Sequence, residues 1–458
     1  MKKSILAVII LVALGATLPI IGNSFMQKTI EDKVTKLDSF GLKAQIQTTA
    51  SSYLTTHKHF EFLLKDSAAF VEYLNRYSNQ QLPPYVNAML NGVVIGADIE
   101  YSNLPFAKAI EIEIYPLSLS EEMKEEMKKN NLAFSKYLET FLESKGILYH
   151  INYNIINNEF KGYVKDIETS YAFDKELKAD FKLKGVTFSG EGDIIAPQKL
   201  KSKIKSLHIA VTKKRKKFDI KMTKLSSKSA FESKDSYETD MQLDSLDFLL
   251  SGTNSDANIT MEDVVLSGSS KDTKEKVALK SKVSFQKFRI DSKALYVEMK
   301  KFIFKINVEE LNKQKFESFR SLASKNNLNN SMKYKKDLQN SLLSLLSKGL
   351  TIDSNEFSIE DVDVDNIGNL KGFDIKTKIV LKEDPAFSQK IALSPMMALE
   401  DLEIHINMKI NKKMYSYMMQ NPGLLMQLNS YAKEDGDSVV FDIDFLDSKI
   451  SVNGQTIN

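Results

Sequence analysis

The chain has 458 residues, of which 63 are Lys or Arg and 60 are Asp or Glu, giving a formal net charge of +3. This balance excludes a strong field for nucleic acid, and Arg76, Arg215, Arg289 and Arg320 are the only guanidinium forks among the bases. A 42% hydrophobic content excludes disorder of the whole chain, and the lack of cysteine excludes disulfides, a lipoprotein anchor and a thiol nucleophile.

Met1-Lys2-Lys3 precedes an apolar run from Ile5 to Ile21, and no charge follows until Lys28. An uncharged interval of this length can cross ~30 Å of hydrocarbon at ~1.5 Å per helical residue. Lys2 and Lys3 keep the N-terminus cytoplasmic. Residues 1–27 therefore read as a transmembrane signal-anchor, held in a bacterial inner membrane through residues 4–27, with the bulk of the chain periplasmic. Gly22 and Ser24 offer the alternative of a cleaved signal peptide.

Residues 28–116 read as an α+β segment. The helix continues to Leu37 and stops near Gly41, and Phe60, Phe62 and Leu64 mark a strand. Asp66-Ser67 caps a helix that Leu82-Pro83-Pro84 breaks, and strands follow at Val93–Tyr101 and Ile110, Ile112 and Ile114.

Residues 117–350 read as a helix, a long β-meander and a helical pair. Ser120 caps a helix over 121–145, which Lys145-Gly146 closes with Gly in the left-handed conformation. Alternating segments run from Ile147 to about Ile306, and 309–347 turns helical with an interruption at Asn326–Asn330. Residues 351–458 return to strands, with one helix from Met414 to Tyr431 split at Pro422-Gly423.

Two patterns recur. Helix, Lys-Gly, strand, turn and Lys-Gly-aromatic appear at Lys145-Gly146 with Lys161-Gly162-Tyr163, and again at Lys348-Gly349 with Lys371-Gly372-Phe373. An apolar residue, two polar residues and then an apolar one begin Leu243-Asp244-Ser245-Leu246, Met261-Glu262-Asp263-Val264, Ile359-Glu360-Asp361-Val362 and Leu399-Glu400-Asp401-Leu402. Either duplication or the ordinary pattern of exposed strands accounts for them.

No nucleophile elbow, zinc helix, phosphate loop or dinucleotide fingerprint is present. His57-Lys58-His59 places two imidazoles on one strand face but has no third ligand nearby, so it reads as a polar face, and no metal or cofactor is expected. His150, His208 and His405 stand singly in strand patterns. Asp361 to Gly368 only partly matches a calcium loop, and its valines fit a strand. Lys213 to Lys217 reads as a soluble hairpin turn rather than a phospholipid contact. Asn258-Ile259-Thr260, with Asp256 before it, forms a sequon that offers Asn258 for glycosylation.

The tail Tyr431-Ala432-Lys433-Glu434-Asp435-Gly436-Asp437, the strand Val439–Phe445 and Ile450-Ser451-Val452-Asn453-Gly454-Gln455 resemble the closing hairpin of the YdgA-like family. Asn366–Leu370, Leu399–Ile410 and the lysine-led apolar start are similar to that family as well. The family's aromatic-Arg-Gly segment has no counterpart, Tyr53–His57 standing nearest. The resemblance implies a single-span, periplasmic protein of a family without assigned function, and it carries over no catalytic residues. At fold level, the sheet-rich organisation is similar to AsmA-like envelope proteins that handle lipid.

The expected fold is α+β: the transmembrane helix, then a large, mainly antiparallel, extended β-sheet with helices packed on part of one face. The expected function is that of a non-catalytic envelope protein. It would offer lipid an apolar groove lined by Phe218, Ile220, Phe285, Phe302 and Phe304, or hold envelope partner proteins. One alternative is a subunit of a surface machine, pairing or self-associating through strand edges. Another is an envelope hydrolase, which would need a deep polar pocket gathering His57, His59 and remote carboxylates.

Overall fold

The computed structural model describes residues 26–28, 30–32, 34–77, 87, 90–104, 109–193, 197–233, 235–252, 256–324, 332–365, 367–420 and 428–457. Among them no helix is long and apolar enough to cross a membrane, and the expected anchor lies outside them up to residue 25. The fold is α+β, dominated by antiparallel strands. It divides into two compact units, one up to Ile209 and one from Ala210, a division that falls within the segment read as 117–350.

In the first unit, period-two alternation produces β1 (Leu42–Ser51), β2 (Thr55–Leu64), β3 (Val94–Ser102), β4 (Ala109–Ser118), β5 (Tyr149–Asn154) and β6 (Glu159–Val164). β7 (Ile167–Ala172) and β8 (Leu177–Lys184) form a hairpin, and β9 (Val186–Gly192) and β10 (Pro197–Lys213) follow. Antiparallel pairing runs β1-β2-β3-β4-β5-β6-β9-β10. On β2 the even positions Phe60, Phe62 and Leu64 are buried while His57 and His59 face the other way.

Helical residues preceding β1 lay Met26, Ile30, Val34 and Leu37 over that apolar face, at the spacing of one helix side. Lys58 is buried on the same face, its ammonium 4.0 Å from Glu31. Helix α1 (Ser67–Tyr77) begins after Asp66, whose carboxylate accepts from the Ala69 N–H at 2.9 Å.

The helix expected over 121–145 is two helices, α2 (Glu121–Asn130) and α3 (Leu132–Glu143). Asn131 is extended (φ −160°), and its side chain accepts from Phe134 N–H at 2.9 Å, so a residue that competes well for backbone donors ends one helix and caps the next. Ser120 caps α2 as expected. At the end of α3 the left-handed residue is Lys145 (φ 51°), not Gly146. Gly146 is required for another reason: a Cβ there would lie 2.4 Å from the Phe141 ring.

The second unit contains β11 (Lys216–Phe231), β12 (Tyr237–Ser251), β13 (Ala257–Asp272), β14 (Lys276–Ser292) and β15 (Tyr296–Asn312). Helices α4 (Lys313–Ser324) and α5 (Met332–Leu346) follow, then β16 (Leu350–Val364) and β17 (Gly368–Leu381). The chain continues with α6 (Phe387–Leu393), a 3-10 turn (Pro395–Asp401), β18 (Leu402–Asn411), α7 (Lys412–Met418) and the short strands β19 (Lys433–Asp435), β20 (Ser438–Leu446), β21 (Lys449–Val452) and β22 (Gln455–Ile457). Each strand from β11 to β18 pairs antiparallel with the next, and β18 pairs with β20.

Residues 309–312, read as helical, are strand. Pairing of Leu311 with Val277 buries both side chains to 4% and 2% exposure, and that gain overrides local helix preference. Two cores cover the ends of one sheet face. One gathers Phe441, Ile410 and Val452 with Met414 and Tyr415 of α7, and the other gathers Val277, Leu311, Leu350 and Leu381 with Leu345 of α5 and Phe387 of α6.

Candidate functional site

The same sheet also carries the five candidate groove residues. Phe218 and Ile220 stand on β11, Phe285 on β14, and Phe302 and Phe304 on β15, all half-buried. Cross-strand registers draw two long apolar rows over this face, and of the five candidates Phe304 lies in one of them. One row runs Met222, Leu246, Met261, Phe288, Met299, Val362 and Leu370 from β11 to β17. Another runs Met241, Leu266, Val283, Phe304, Phe357, Ile375, Met408 and Phe441 from β12 to β20.

The second row passes from half-open to sealed along its length: Leu266 is 38% exposed, and Phe441, beneath α7, is 0% exposed. Phenylalanine rings join the rows. Phe285 lies 4.7 Å from Phe302 and 5.9 Å from Phe288, and Phe357 lies 5.6 Å from Phe304 and 5.0 Å from Phe373.

Lys224, Asp263 and Lys301 interrupt alternate strands with left-handed backbone (φ 47°, 52° and 50°). The flanking registers align these positions across the sheet with Asp244, Gln286, Glu360 and Gly372. At this line the apolar positions change parity: Met222 to Leu225, Leu246 to Leu243, Met261 to Val264, Phe288 to Phe285, Met299 to Phe302 and Val362 to Ile359. The close approach of the Phe285 and Phe288 rings, three residues apart, shows that both sides of the line present to one face.

The register is kept across the line, so each left-handed residue inserts nothing and instead sends two successive polar side chains to the opposite face. There Lys224 meets Asp244 at 2.7 Å, Lys301 meets Glu360 at 2.5 Å, and Lys371 meets Asp361 at 2.7 Å. The recurrent apolar-polar-polar-apolar pattern at Leu243, Met261 and Ile359 is therefore the sequence mark of this line. The instance at Leu399 instead marks the junction of the 3-10 turn with β18.

The polar face of the first unit gathers what an isolated histidine pair cannot. One register row runs Thr48, His59, Asp98, Glu113, His150, Tyr163, and a second runs Ala50, His57, Glu100, Glu111, Asn152, Lys161. Members of both rows, among them His57, His59, Asp98, Glu100, Glu111, Glu113 and His150, line an open cavity of about 470 Å³. His150, read as a solitary strand residue, belongs to this group and stacks on Tyr163 at 4.9 Å.

Asp98 is the hub. His59 Nδ1 lies 2.6 Å from its Oδ1, and Tyr115 Oη and Lys145 Nζ donate to its Oδ2 at 2.9 and 2.7 Å. Lys145 also reaches Glu113 at 3.1 Å and stands 4.2 Å from the centre of the Tyr115 ring. Burial by itself would raise the Asp98 pKa, but the hydrogen bonds from Lys145, His59 and Tyr115 outweigh it and hold the carboxyl below 3.8. Burial first, and then the Asp98 carboxylate, push the Tyr115 phenol up to about 12.

His59 Nε2 faces Glu61 Oε1 at 3.5 Å and His57 Nδ1 faces Glu100 Oε2 at 3.4 Å, so carboxylates stand beside both imidazoles. Among the described residues no three His, Asp or Glu groups are placed to hold one metal ion.

Two outcomes follow from the hub. Comparing alkaline absorbance titrations of the wild type and Tyr115→Phe should assign to Tyr115 a phenol that ionises near 12 rather than 10. Because the folded-state pKa of Asp98 is depressed, its contribution to stability is complete above the unfolded value of about 3.9 and is lost as pH falls through the folded value. Asp98→Asn should therefore flatten the melting temperature profile below about pH 4, and an unchanged acid limb would count against the hub.

The remaining sequence candidates sit apart. Asn258 lies inside β13, between Leu249 of β12 and Asp291 of β14. His405 pairs with Asp444 at 2.5 Å, and His208 lies in β10. Lys214 and Arg215 form the turn between β10 and β11. Asp361 to Val364 belong to β16, and the chain turns at Asp365 to enter β17 at Gly368. Compared with known protein families, characterised proteins and solved structures, the chain has no significant match.

Proposed function

We propose that this chain is a membrane-tethered, non-catalytic envelope protein whose second unit holds hydrocarbon chains of lipid on its apolar sheet face. The observation that carries the reading is the pair of apolar rows that continue unbroken from buried core into half-exposed surface. From β11 to β17 this surface spans roughly 30 Å at the ordinary strand spacing. A sheet that needed only its own stability would be sealed by a second layer, as Phe441 is beneath α7. The uncharged N-terminal segment, read as an anchor in the inner membrane, would tether the chain to a lipid phase, and the resemblance to the YdgA-like family agrees with a periplasmic setting.

Titration of the full-length protein with a fluorescent fatty acid tests the reading. Saturable binding is expected, weakened about tenfold or more by Phe285→Asp with Phe302→Asp while the far-ultraviolet spectrum is kept. Binding of equal strength in wild type and variant would overturn it.

The cavity around His59 and Asp98 supports a second reading, an envelope hydrolase. Its geometry favours a structural role, since Lys145 is held by two carboxylates and each nitrogen of His59 faces a carboxylate oxygen. Turnover of ester or amide substrates that His59→Ala abolishes would establish the second reading instead.

A further inference from the structure

One register row on the polar face of the first unit carries acid at one end and base at the other. Glu100 of β3 and Glu111 of β4 stand directly opposite each other, and further along the row Lys161 of β6 and Lys201 of β10 flank Ser189 of β9. Like charges at facing positions repel.

Among the described residues no Lys or Arg lies within ion-pair distance of Glu100 or Glu111, and no carboxylate lies within that distance of Lys161 or Lys201. Their charged neighbours are engaged elsewhere. Glu191 meets Lys199 at 2.7 Å, and Glu159 accepts from the Asn157 amide at 2.6 Å.

Glu100 and Glu111 line the cavity around Asp98, whereas Asn152, Lys161, Ser189 and Lys201 line a second open cavity of about 420 Å³. The row joins the two, since Glu111 pairs with Asn152 and Asn152 with Lys161. At a strand spacing of ~4.8 Å, Glu111 and Lys161 stand about 10 Å apart with the Asn152 amide between them.

We infer that this row binds a phosphoethanolamine group, its ammonium on Glu111 and Glu100 and its phosphate on Lys161, Ser189 and Lys201. Four bonds of ~1.5 Å separate nitrogen from phosphorus and span about 5 Å, and a charge-assisted hydrogen bond of about 2.8 Å at each end brings the total to about 10 Å. That is the separation of Glu111 from Lys161. A lone anion would leave the two carboxylates repelling each other, and a lone cation would leave the two lysines without a counterion. One zwitterion relieves both. Donors arriving from β5, β6, β9 and β10 suit the tetrahedral oxygens of phosphate, which lysine meets as a point charge. All these residues lie in the first unit, so the inference stands apart from the acyl-holding face of the second.

The chain has no tryptophan, and Tyr163, 45% exposed and two residues from Lys161 on the same strand face, is the place for a reporter. Emission of the full-length Tyr163→Trp protein should change saturably on titration with glycerophosphoethanolamine. Adding Glu111→Gln should weaken that ligand about tenfold while leaving glycerol 3-phosphate, which has no ammonium, bound as well or better. Adding Lys161→Gln should weaken both ligands about tenfold. Equal losses of the two ligands in the Glu111→Gln protein would overturn the zwitterion.

Vesicles identify the source of the group. In protein reconstituted with phosphatidylcholine, whose quaternary ammonium has no N–H to donate, adding phosphatidylethanolamine should change the emission, and Glu111→Gln should abolish the change; that result assigns the group to a lipid headgroup. Response to the soluble ester alone supports the site and assigns it a water-soluble ligand. No response to either the ester or the lipid overturns the inference.

Discussion

Phe441→Ala is expected to remove about 3–5 kcal/mol of stability from the unit that begins at Ala210. Phe441 is 0% exposed, its ring lies 5.8 Å from Tyr415, and Ile410, Val439 and Val452 are buried in the same cluster. Truncation loses the transfer free energy of the ring and leaves a cavity beneath α7, which strands on both sides hinder from collapsing. Domains are stable by only about 5–15 kcal/mol, so the variant should show a much lower urea midpoint or accumulate unfolded.

Phe304 belongs to the same register row, yet it is half-buried, and Phe304→Ala should cost about 1 kcal/mol because much less surface returns to water. A comparable loss at the two positions would mean that the row is sealed throughout, which contradicts the open face.

Gly372→Ala should destabilise by at least about 3 kcal/mol, for a different reason. A Cβ at this position would lie 1.7 Å from the carbonyl oxygen of Ile359 and 2.6 Å from its carbonyl carbon. The obstacle is the backbone of the neighbouring strand, which no rotamer change can clear. Gly372 falls on the line of left-handed residues, where the Ile359 carbonyl of β16 crosses against it, so relief would require β17 to part from its partner.

Gly268→Ala, within β13, serves as the control. Its nearest neighbour would be the Lys280 carbonyl oxygen at 3.8 Å, an ordinary contact, and the expected change is within about 0.5 kcal/mol. Denaturant midpoints for the three proteins decide the matter, and equal midpoints for the two alanine variants would contradict the crossing.

The sequence foretells most strands because one face of each alternates: Phe60 to Leu64, Ile110 to Ile114 and Phe302 to Ile306 all lie in strands. It misses the break at Asn131, since the apolar stripe on either side is continuous and only the Asn side chain's affinity for a backbone N–H marks the boundary. Residues 309–312 are strand although they read as helix, because pairing with distant β14 rewards them more than local propensity does. The recurrent i, i+3 apolar spacing is visible in the sequence, but its cause is a line of left-handed residues that exists only once neighbouring strands are in register. The sequence signal for that line is Lys or Asp at the position where alternation slips.

The polar cavity is the least legible feature. Asp98, Glu113, Lys145 and His150 come from β3, β4, the loop after α3 and β5, and no local spacing joins them. Their common property is a place on the polar parity of paired strands, which would identify the set once the strand order was known. The helix-then-hairpin recurrence is real as architecture: α3 leads to β5 and β6, and α5 leads to β16 and β17. In both hairpins the later glycine, Gly162 or Gly372, sits against a carbonyl of the partner strand.

Lipid extraction and mass spectrometry of the full-length protein purified in mild detergent test the central reading most directly. A stoichiometric set of acyl lipids that survives gel filtration, and is lost from the Phe285→Asp, Phe302→Asp variant although that variant still carries its N-terminal segment, is the predicted result. Equal lipid in both proteins, or none in the wild type, would contradict it.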